Sequence, residues 1–355
     1  MSYQCELVMH SISPRGKELL SYEITFPRSV LAEVVTHRIL TMQTQDGEAG
    51  ELDGLFIRER TALQSLSKNS ASSRAIPFKQ MVAAVANDPY IPEKWSKGGP
   101  GMQESGWIED PMTVVEANVK WIQARDQMIE AATAMHNLGI HKQDVNRLLE
   151  PWGWVKQIIS GTEWANFFAL RTDKDAHPAF RRIARMMYLA KEVSTPKHVK
   201  YGEWHVPYVG QGTLQALAEK IGVSHSSPFE RDSMVLQVSA ARCAWVSYDP
   251  PGMDGFTNEK AFATYKKLMS GPLKHVSPVE HQGTPLDEYV ERTHPNYRSN
   301  FSGWMQARKT IIDETPSVFK PTDEEVASWL RESPELAQYE KTLRIKAKGL
   351  TQRSS

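Results

Sequence analysis

The chain opens on an alternating pattern. Glu6 to Ile12 mixes apolar and polar positions, Pro14-Arg15-Gly16 interrupts it, and Tyr22-Glu23-Ile24-Thr25-Phe26 alternates until Pro27. Two extended segments around a turn are therefore predicted. The period changes at Ser29. Val30, Leu31, Val34, Val35 and Ile39 recur at helical spacing, which places His37 and Arg38 near the C-terminal end of a helix. Residues 41–66 begin as a polar, Gly-containing loop, and the small polar residues of 67–77 (SKNSASSRAIP) predict tight irregular backbone. Pro77 to Ala86 suits a short helix, and the Pro- and Gly-rich stretch 88–110 reads as a surface excursion.

The clearest helix starts at Asp110-Pro111, an N-cap followed by proline at the first helical position. Val115, Val119, Ile122, Ile129 and Ala132 give it an apolar face, and Gly139 ends it. A helical block is predicted from about His141 to Glu192, broken at Pro151-Trp152-Gly153 and around Thr172–Pro178. Residues 195–232 read as loop apart from Thr213–Ile221. Two amphipathic helices are expected over 236–248 and 257–269, and beyond Pro321 the chain is charged and helical. The expected organisation is one mixed α/β (α+β) domain over 1–320, interrupted by residues 41–66, followed by a charged helical tail over 321–355.

Composition narrows the function classes. Among 355 residues, 42 Lys+Arg balance 42 Asp+Glu, which argues against a broad basic face gripping nucleic acid. Cys5 and Cys243 are the only cysteines, too few for a disulfide framework or a four-thiolate metal site. The opening MSYQCELVMHSIS lacks a basic stretch followed by an apolar run, and no window approaches 18 apolar residues. A globular, reduced, cytoplasmic protein without a membrane span is expected.

Three regions hold chemistry-bearing side chains. His37-Arg38 and Asn69-Ser70-Ala71-Ser72-Ser73-Arg74 combine an imidazole, two guanidinium forks, an amide and hydroxyls, which suits an anion or a pyrimidine carbonyl. The same composition also makes a capped turn. In the second region, Arg147 precedes Trp164, Asn166, Leu170 and Arg171, which helical spacing puts on adjoining turns where a flat heteroaromatic ring could stack and hydrogen-bond. A buried aromatic face with an arginine reaching outward is the competing reading, and the residues taken alone favour it slightly. The third comprises Glu203-Trp204-His205 and Glu280-His281, each pairing an acid with a histidine whose ordinary pKa suits acid–base work. The basic run Arg181, Arg182, Arg185 and Lys191 suits a solvated helix end. Neither histidine pair has the spacing of a zinc protease, and no metal site is expected. The phosphate-binding G-x-x-x-x-G-K-[ST], the dinucleotide G-x-G-x-x-G and the nucleophile elbow G-x-S-x-G are missing from the sequence. Cys243, in ARCAWVSY, reads as a core residue.

Taken together, these segments resemble the flavin-dependent thymidylate synthases. Their signature R-H-R-x-x-S-x-N-x-x-S-x-R is similar to Thr36-His37-Arg38 followed, after residues 41–66, by Ser67-Lys68-Asn69-Ser70-Ala71-Ser72-Ser73-Arg74. Arg147-Leu148-Leu149-x-Pro151 with Asn166-Phe167-Phe168-Ala169-Leu170-Arg171 resembles the second conserved region. Ala241 to Tyr248 with Ser277-Pro278-Val279-Glu280-His281 resembles the segment those enzymes carry at their N-terminus. The order is circularly permuted, as in phage-encoded relatives, and the resemblance covers roughly residues 18–310. It implies a homotetramer with active sites at subunit interfaces, FAD, 5,10-methylenetetrahydrofolate and NADPH, and methylation of C5 of dUMP. It further implies that His37, Arg38, Asn69, Asn166, Leu170 and Ser247 line the FAD. Ser72, Ser73, Arg74 and Arg147 would hold the nucleotide, mainly its phosphate. Arg171 would face the pyrimidine as a catalytic group, and His281 would sit catalytically near the flavin or folate entrance. The sequence departs from the family pattern at Glu33, Thr36, Ser70, Ser160, Thr162 and His177. Those departures leave hydroxymethylation of dUMP or dCMP, or a non-catalytic nucleotide- or nucleic-acid-binding relative, as alternatives.

Overall fold

The computed structural model describes residues 3–36, 67–70, 72–99, 106–221, 228–246, 256–270, 274–311 and 321–351. His37, Arg38, Ser247 and the segment 41–66 lie outside the described residues. The chain divides into two compact units, Met1–Ile312 and Asp313–Ser355.

The elements of the first unit are β1 (Gln4–Ile12), β2 (Glu18–Pro27), α1 (Leu31–Thr36), β3 (Ser67–Ser70), α2 (Phe78–Asn87), α3 (Pro111–Asn137), α4 (Lys142–Val145), β4 (Trp154–Gly161), α5 (Ala165–Arg171) and α6 (Pro178–Glu192). After them come β5 (Lys197–His198), α7 (Gln211–Ile221), α8 (Pro228–Trp245), α9 (Asn258–Met269), β6 (Gly283–Pro285), α10 (Glu288–Thr293) and β7 (Trp304–Gln306). The second unit holds α11 (Asp323–Glu332) and α12 (Pro334–Thr351). Among the described residues no helix is long and apolar enough to cross a membrane.

The expected hairpin forms from β1 and β2, antiparallel from Gln4↔Thr25 to Ile12↔Glu18. Its turn uses Gly16 at φ +73°, a conformation that favours glycine. The sheet order is β3-β4-β2-β1-β5. Its centre departs from the sequence reading, because residues 154–161, expected within a helical block, form β4 between β2 and β3. Val155, Gln157, Ile158, Ile159 and Ser160 of this strand are all fully buried. A strand covered on both faces needs no polar alternation, so its apolar run matches a buried helix as well as a strand.

The two faces of this sheet differ in chemistry. Leu20, Tyr22, Ile24 and Phe26 of β2 join Val155 and Ile159 of β4 in one apolar core with Trp164, Phe167, Phe168, Phe180, Ile183 and Met187 from α5, α6 and the residue before them. On the other face Ile158 packs with Cys243 and Val246. Its neighbours Ser21 and Ser160 are polar and fully buried.

A second core joins Phe78, Met81 and Val85 of α2, Ala132 of α3, Val145, Leu149 and Trp152. Asp110 caps α3 by accepting from Thr113 N at 2.8 Å, and the chain leaves it through Gly139 at φ +87°. The apolar face expected along α3 is only partly used: Val115 and Val119 are 55% and 47% exposed, whereas Ala132 is buried. At 27 residues the helix runs roughly 40 Å, longer than the short α2 and the 146–152 turn can cover. A third core joins Leu217, Val238, Ala241, Phe256 and Ala261 around α7, α8 and α9. In the second unit, Thr322 and Glu325 form a reciprocal capping box at the start of α11.

Candidate functional site

The segments carrying the motifs are far apart in sequence, and β4 is where they meet. On one side, the turn Ser73–Ala75 packs against the turn Asn146–Trp152 that leads into the strand. Asn146 is fully buried and donates through Nδ2 to Ser73 O at 2.7 Å and Ile76 O at 2.9 Å. The hydroxyl of buried Ser73 donates to Glu150 Oε1 at 2.5 Å, and that carboxylate lies 3.8 Å from Arg28 Nη1. Lys142 Nζ donates to Ala75 O at 3.0 Å. These bonds satisfy the interior of the two turns and leave Arg74 and Arg147 exposed on them. Arg147 is steadied by donation from Nε to Gln143 O at 3.3 Å. Two guanidinium groups on adjoining turns make a cationic edge suited to an anionic oxygen cluster. Ser72 is half-buried at the entry to the same turn, and its carbonyl accepts from Ala75 N at 2.9 Å.

Asn69 sits on β3 in register with Ile158 of β4, while Ser67 is in register with Ser160. This short strand falls where irregular backbone was expected. Its four residues have no apolar periodicity of their own, and pairing with β4 supplies the order.

Past the end of β4, the sharp passage through Gly161 into α5 is fixed by Trp164 Nε1 donating to Gly161 O at 2.8 Å. On α5, the half-buried Arg171 places its guanidinium carbon 4.9 Å from the ring centre of Phe180, a cation–π contact that holds its orientation. Asn166 has its Nδ2 buried with no hydrogen-bond partner, and Leu170 is 46% exposed. An amide donor left in that state is costly, so a ligand carbonyl accepting from it would be rewarded. The structure thus groups Ser72, Ser73, Arg74 and Arg147 at the start of β4 and Asn166, Leu170 and Arg171 beyond its end. The strand between them is roughly 25 Å long.

The two histidines singled out beside acids come together in the interior. His281 and His205 are both fully buried. His205 Nδ1 lies 2.8 Å from Ser11 Oγ, and its Nε2 lies 2.9 Å from Ser21 Oγ. Ser21 Oγ is 2.5 Å from Ser160 Oγ, which is 2.9 Å from His281 Nδ1. Burial pushes the pKa of each imidazole from 6.5 down to about 3, with the neighbouring His281 adding to the effect on His205. Both rings are therefore neutral at pH 7. The adjacent acids are engaged elsewhere: Glu203 Oε2 accepts from Lys200 N at 2.9 Å, and Glu280 pairs with Arg308. The sequence singles out both histidines, and Ser160 only as a departure from the family pattern, but gives no sign that Ser21 and Ser160 join them. Ser11 and Ser21 lie in the two predicted extended segments, whereas Ser160 lies in a run expected to be helical, so no strand register linked the three.

Other residues have internal partners as well. Thr162 Oγ1 accepts from Ser302 N at 2.9 Å, and Gln282 Nε2 donates to Ser239 Oγ at 3.0 Å. Cys243 is fully buried, which raises its pKa far above the ordinary thiol value and keeps it protonated. In the basic run of α6, Arg182 pairs with Glu93 and covers Tyr3, Arg185 donates to Thr172 O, and Lys191 pairs with Glu18 at 3.0 Å. Among the described residues, no group of three or more His, Cys, Asp or Glu is arranged to hold a metal ion. Comparison with known proteins finds no matching family model and no matching curated protein.

Proposed function

We propose that this protein transfers a one-carbon unit from methylenetetrahydrofolate to C5 of a deoxypyrimidine monophosphate, dUMP to dTMP in the first instance, using FAD and NADPH. The observation that carries this reading is the convergence of motif-bearing segments 67–75, 146–171 and 277–281 on one strand, β4.

The exposed Arg74 and Arg147 supply forked donors for the nucleotide phosphate, with Ser73, Glu150 and Asn146 holding their turns in place. Arg171, oriented over Phe180, offers fixed positive charge to the pyrimidine as negative charge develops on the ring. The described residues fit a flavin at one point: the buried Nδ2 of Asn166 is a donor in want of a heteroaromatic carbonyl. When bound, FAD supplies the redox chemistry of the one-carbon transfer. The protein's part is to bind, orient and polarise, and the protonated, buried Cys243 is in keeping with that division. Arg74 and Arg147 stand on packed turns that precede β4 in the chain, and Arg171 stands on α5, which follows it. The proposal includes the homotetramer that the resemblance implies, with sites shared between copies of the chain.

A second reading is hydroxymethylation of dUMP or dCMP. It is favoured by Ser160 and Thr162, which replace polar residues of the family pattern and are occupied with His281 and Ser302. Incubation with dUMP or dCMP, methylenetetrahydrofolate, NADPH and FAD, followed by mass measurement of the nucleotide, separates the readings. A gain of CH2 is expected for the synthase, and a gain of CH2O identifies the hydroxymethylase. An unchanged nucleotide, together with no flavin absorbance on the protein after FAD is added, refutes both and leaves a non-catalytic nucleotide-binding relative.

A further inference from the structure

The sheet face opposite the aromatic core is crossed by a row of polar groups. Ser11, Ser21 and Ser160 stand on β1, β2 and β4, which are adjacent strands, with Ser21 and Ser160 in direct register. His205 closes the gap between the first two, and His281 extends the row beyond the third. All five are fully buried. His205 is fixed by a backbone pair with Gly283, its N donating to Gly283 O at 2.8 Å and its O accepting from Gly283 N at 3.2 Å. Gly283 is held close, since a Cβ there would lie 3.0 Å from Leu19 Cδ2.

Proton counting restricts this row. A neutral imidazole has one N–H and one lone pair, and a hydroxyl has one O–H. If Ser11 donates to His205 Nδ1, then His205 Nε2–H donates to Ser21, Ser21 donates to Ser160, and Ser160 donates to His281 Nδ1. His281 then carries its proton on Nε2, a buried atom with no hydrogen-bond partner, which weighs this direction against its reverse. Reversing one bond reverses all of them, with both imidazoles protonated on Nδ1. Within the row, mixed arrangements set two donors or two lone pairs against each other, a cost of about 1–3 kcal/mol for each bond lost. Burial that keeps both rings neutral preserves the row, because a doubly protonated ring has no acceptor to offer.

We propose that Ser11, His205, Ser21, Ser160 and His281 form one hydrogen-bonded row that couples the tautomers of two imidazoles, and that His281 and Ser160 are positioning residues for the β3–β4 edge of the candidate site. The second part rests on the one-carbon-transfer reading. Its geometry is direct: the turn Ser277–Glu280 packs on β3, His281 follows that turn, and its Nδ1 lies 2.9 Å from the hydroxyl of Ser160, the residue in register with Ser67 at the start of β3. The row ties the 277–281 segment to the strand carrying Asn69 and to the strand that leads into Asn166.

The test is nitrogen-15 NMR of the full-length labelled chain. His205 and His281 are expected in the same tautomer, with neither ring protonating between pH 5 and 8. Ser160→Ala should move the ring signals of both, including His205, which does not touch Ser160; Ser160→Thr, which keeps the hydroxyl, should restore them. Opposite tautomers, or a His205 signal unmoved in Ser160→Ala, overturn the coupling. Should that variant fail to fold, Ser21→Ala cuts the row one bond earlier and must move His281 by the same logic. In turnover assays Ser160→Ala should lower kcat on the order of tenfold at unchanged nucleotide KM, with recovery in Ser160→Thr. Full kcat in Ser160→Ala overturns the positioning role. A wild-type protein that turns over neither nucleotide overturns the one-carbon reading and with it the positioning role, while the tautomer measurement still decides the row.

Discussion

Acidification should destabilise this protein through two buried imidazoles. His205 and His281 are held neutral by burial, each with its pKa lowered from 6.5 to about 3. In the unfolded chain both return to ordinary values, so below pH 6.5 the unfolded state binds protons that the native state refuses. The depressed pKa gives stability that is fully present above pH 6.5 and lost as pH falls toward 3. Each histidine contributes a slope approaching about 1.4 kcal/mol per pH unit. Between pH 7 and pH 5 that amounts to about 2 kcal/mol each and about 4 kcal/mol for the pair. The assay is urea unfolding followed by tryptophan fluorescence at pH 7, 6 and 5, comparing wild type with the double variant His205→Gln, His281→Gln. Glutamine keeps a polar side chain but cannot titrate, so the variant should be less stable at pH 7 yet lose about 4 kcal/mol less on acidification. Carboxylates and the other histidines are common to both proteins and largely cancel in the difference. Parallel pH dependences would refute the argument, because they would mean that neither ring is held neutral by the fold.

Other perturbations test separate parts of the structure. Arg171→Ala should abolish turnover, by a factor of at least about 100, while FAD binding measured by absorbance is retained. Arg74→Ala should weaken nucleotide binding more than FAD binding in calorimetric titrations, and equal loss of both would point to disruption of the turn instead. Ser73→Ala removes the hydroxyl that donates to Glu150 and should cost about 1–2 kcal/mol in chemical denaturation. Gly303→Ala combines φ +74° with a Cβ only 2.8 Å from Lys17 Cγ, so a loss of about 1–3 kcal/mol is expected in thermal unfolding.

Much of the local structure is written in local pattern. The hairpin of β1 and β2, the Asp110 and Gly139 boundaries of α3, the α2, α7 and α9 helices and the helical tail all follow from periodicity, caps and breakers within a few residues. So does the burial of Cys243. The residues assigned to the nucleotide edge were legible as residue types, and Arg74 and Arg147 do stand on neighbouring turns. Tertiary structure decided the rest. Residues 154–161 became a central strand only because both faces are covered, and a run buried on both sides carries no period that separates strand from helix. Ser67–Ser70 became a strand only through its register with β4. The row from Ser11 to His281 spans 270 positions, and none of its serines has a sequence neighbour that announces it. Periodicity and capping report interactions within a few residues of each position. A hydrogen-bonded row across three strands, and the neutral histidines it requires, exist only once the sheet has assembled and water has been excluded from its face.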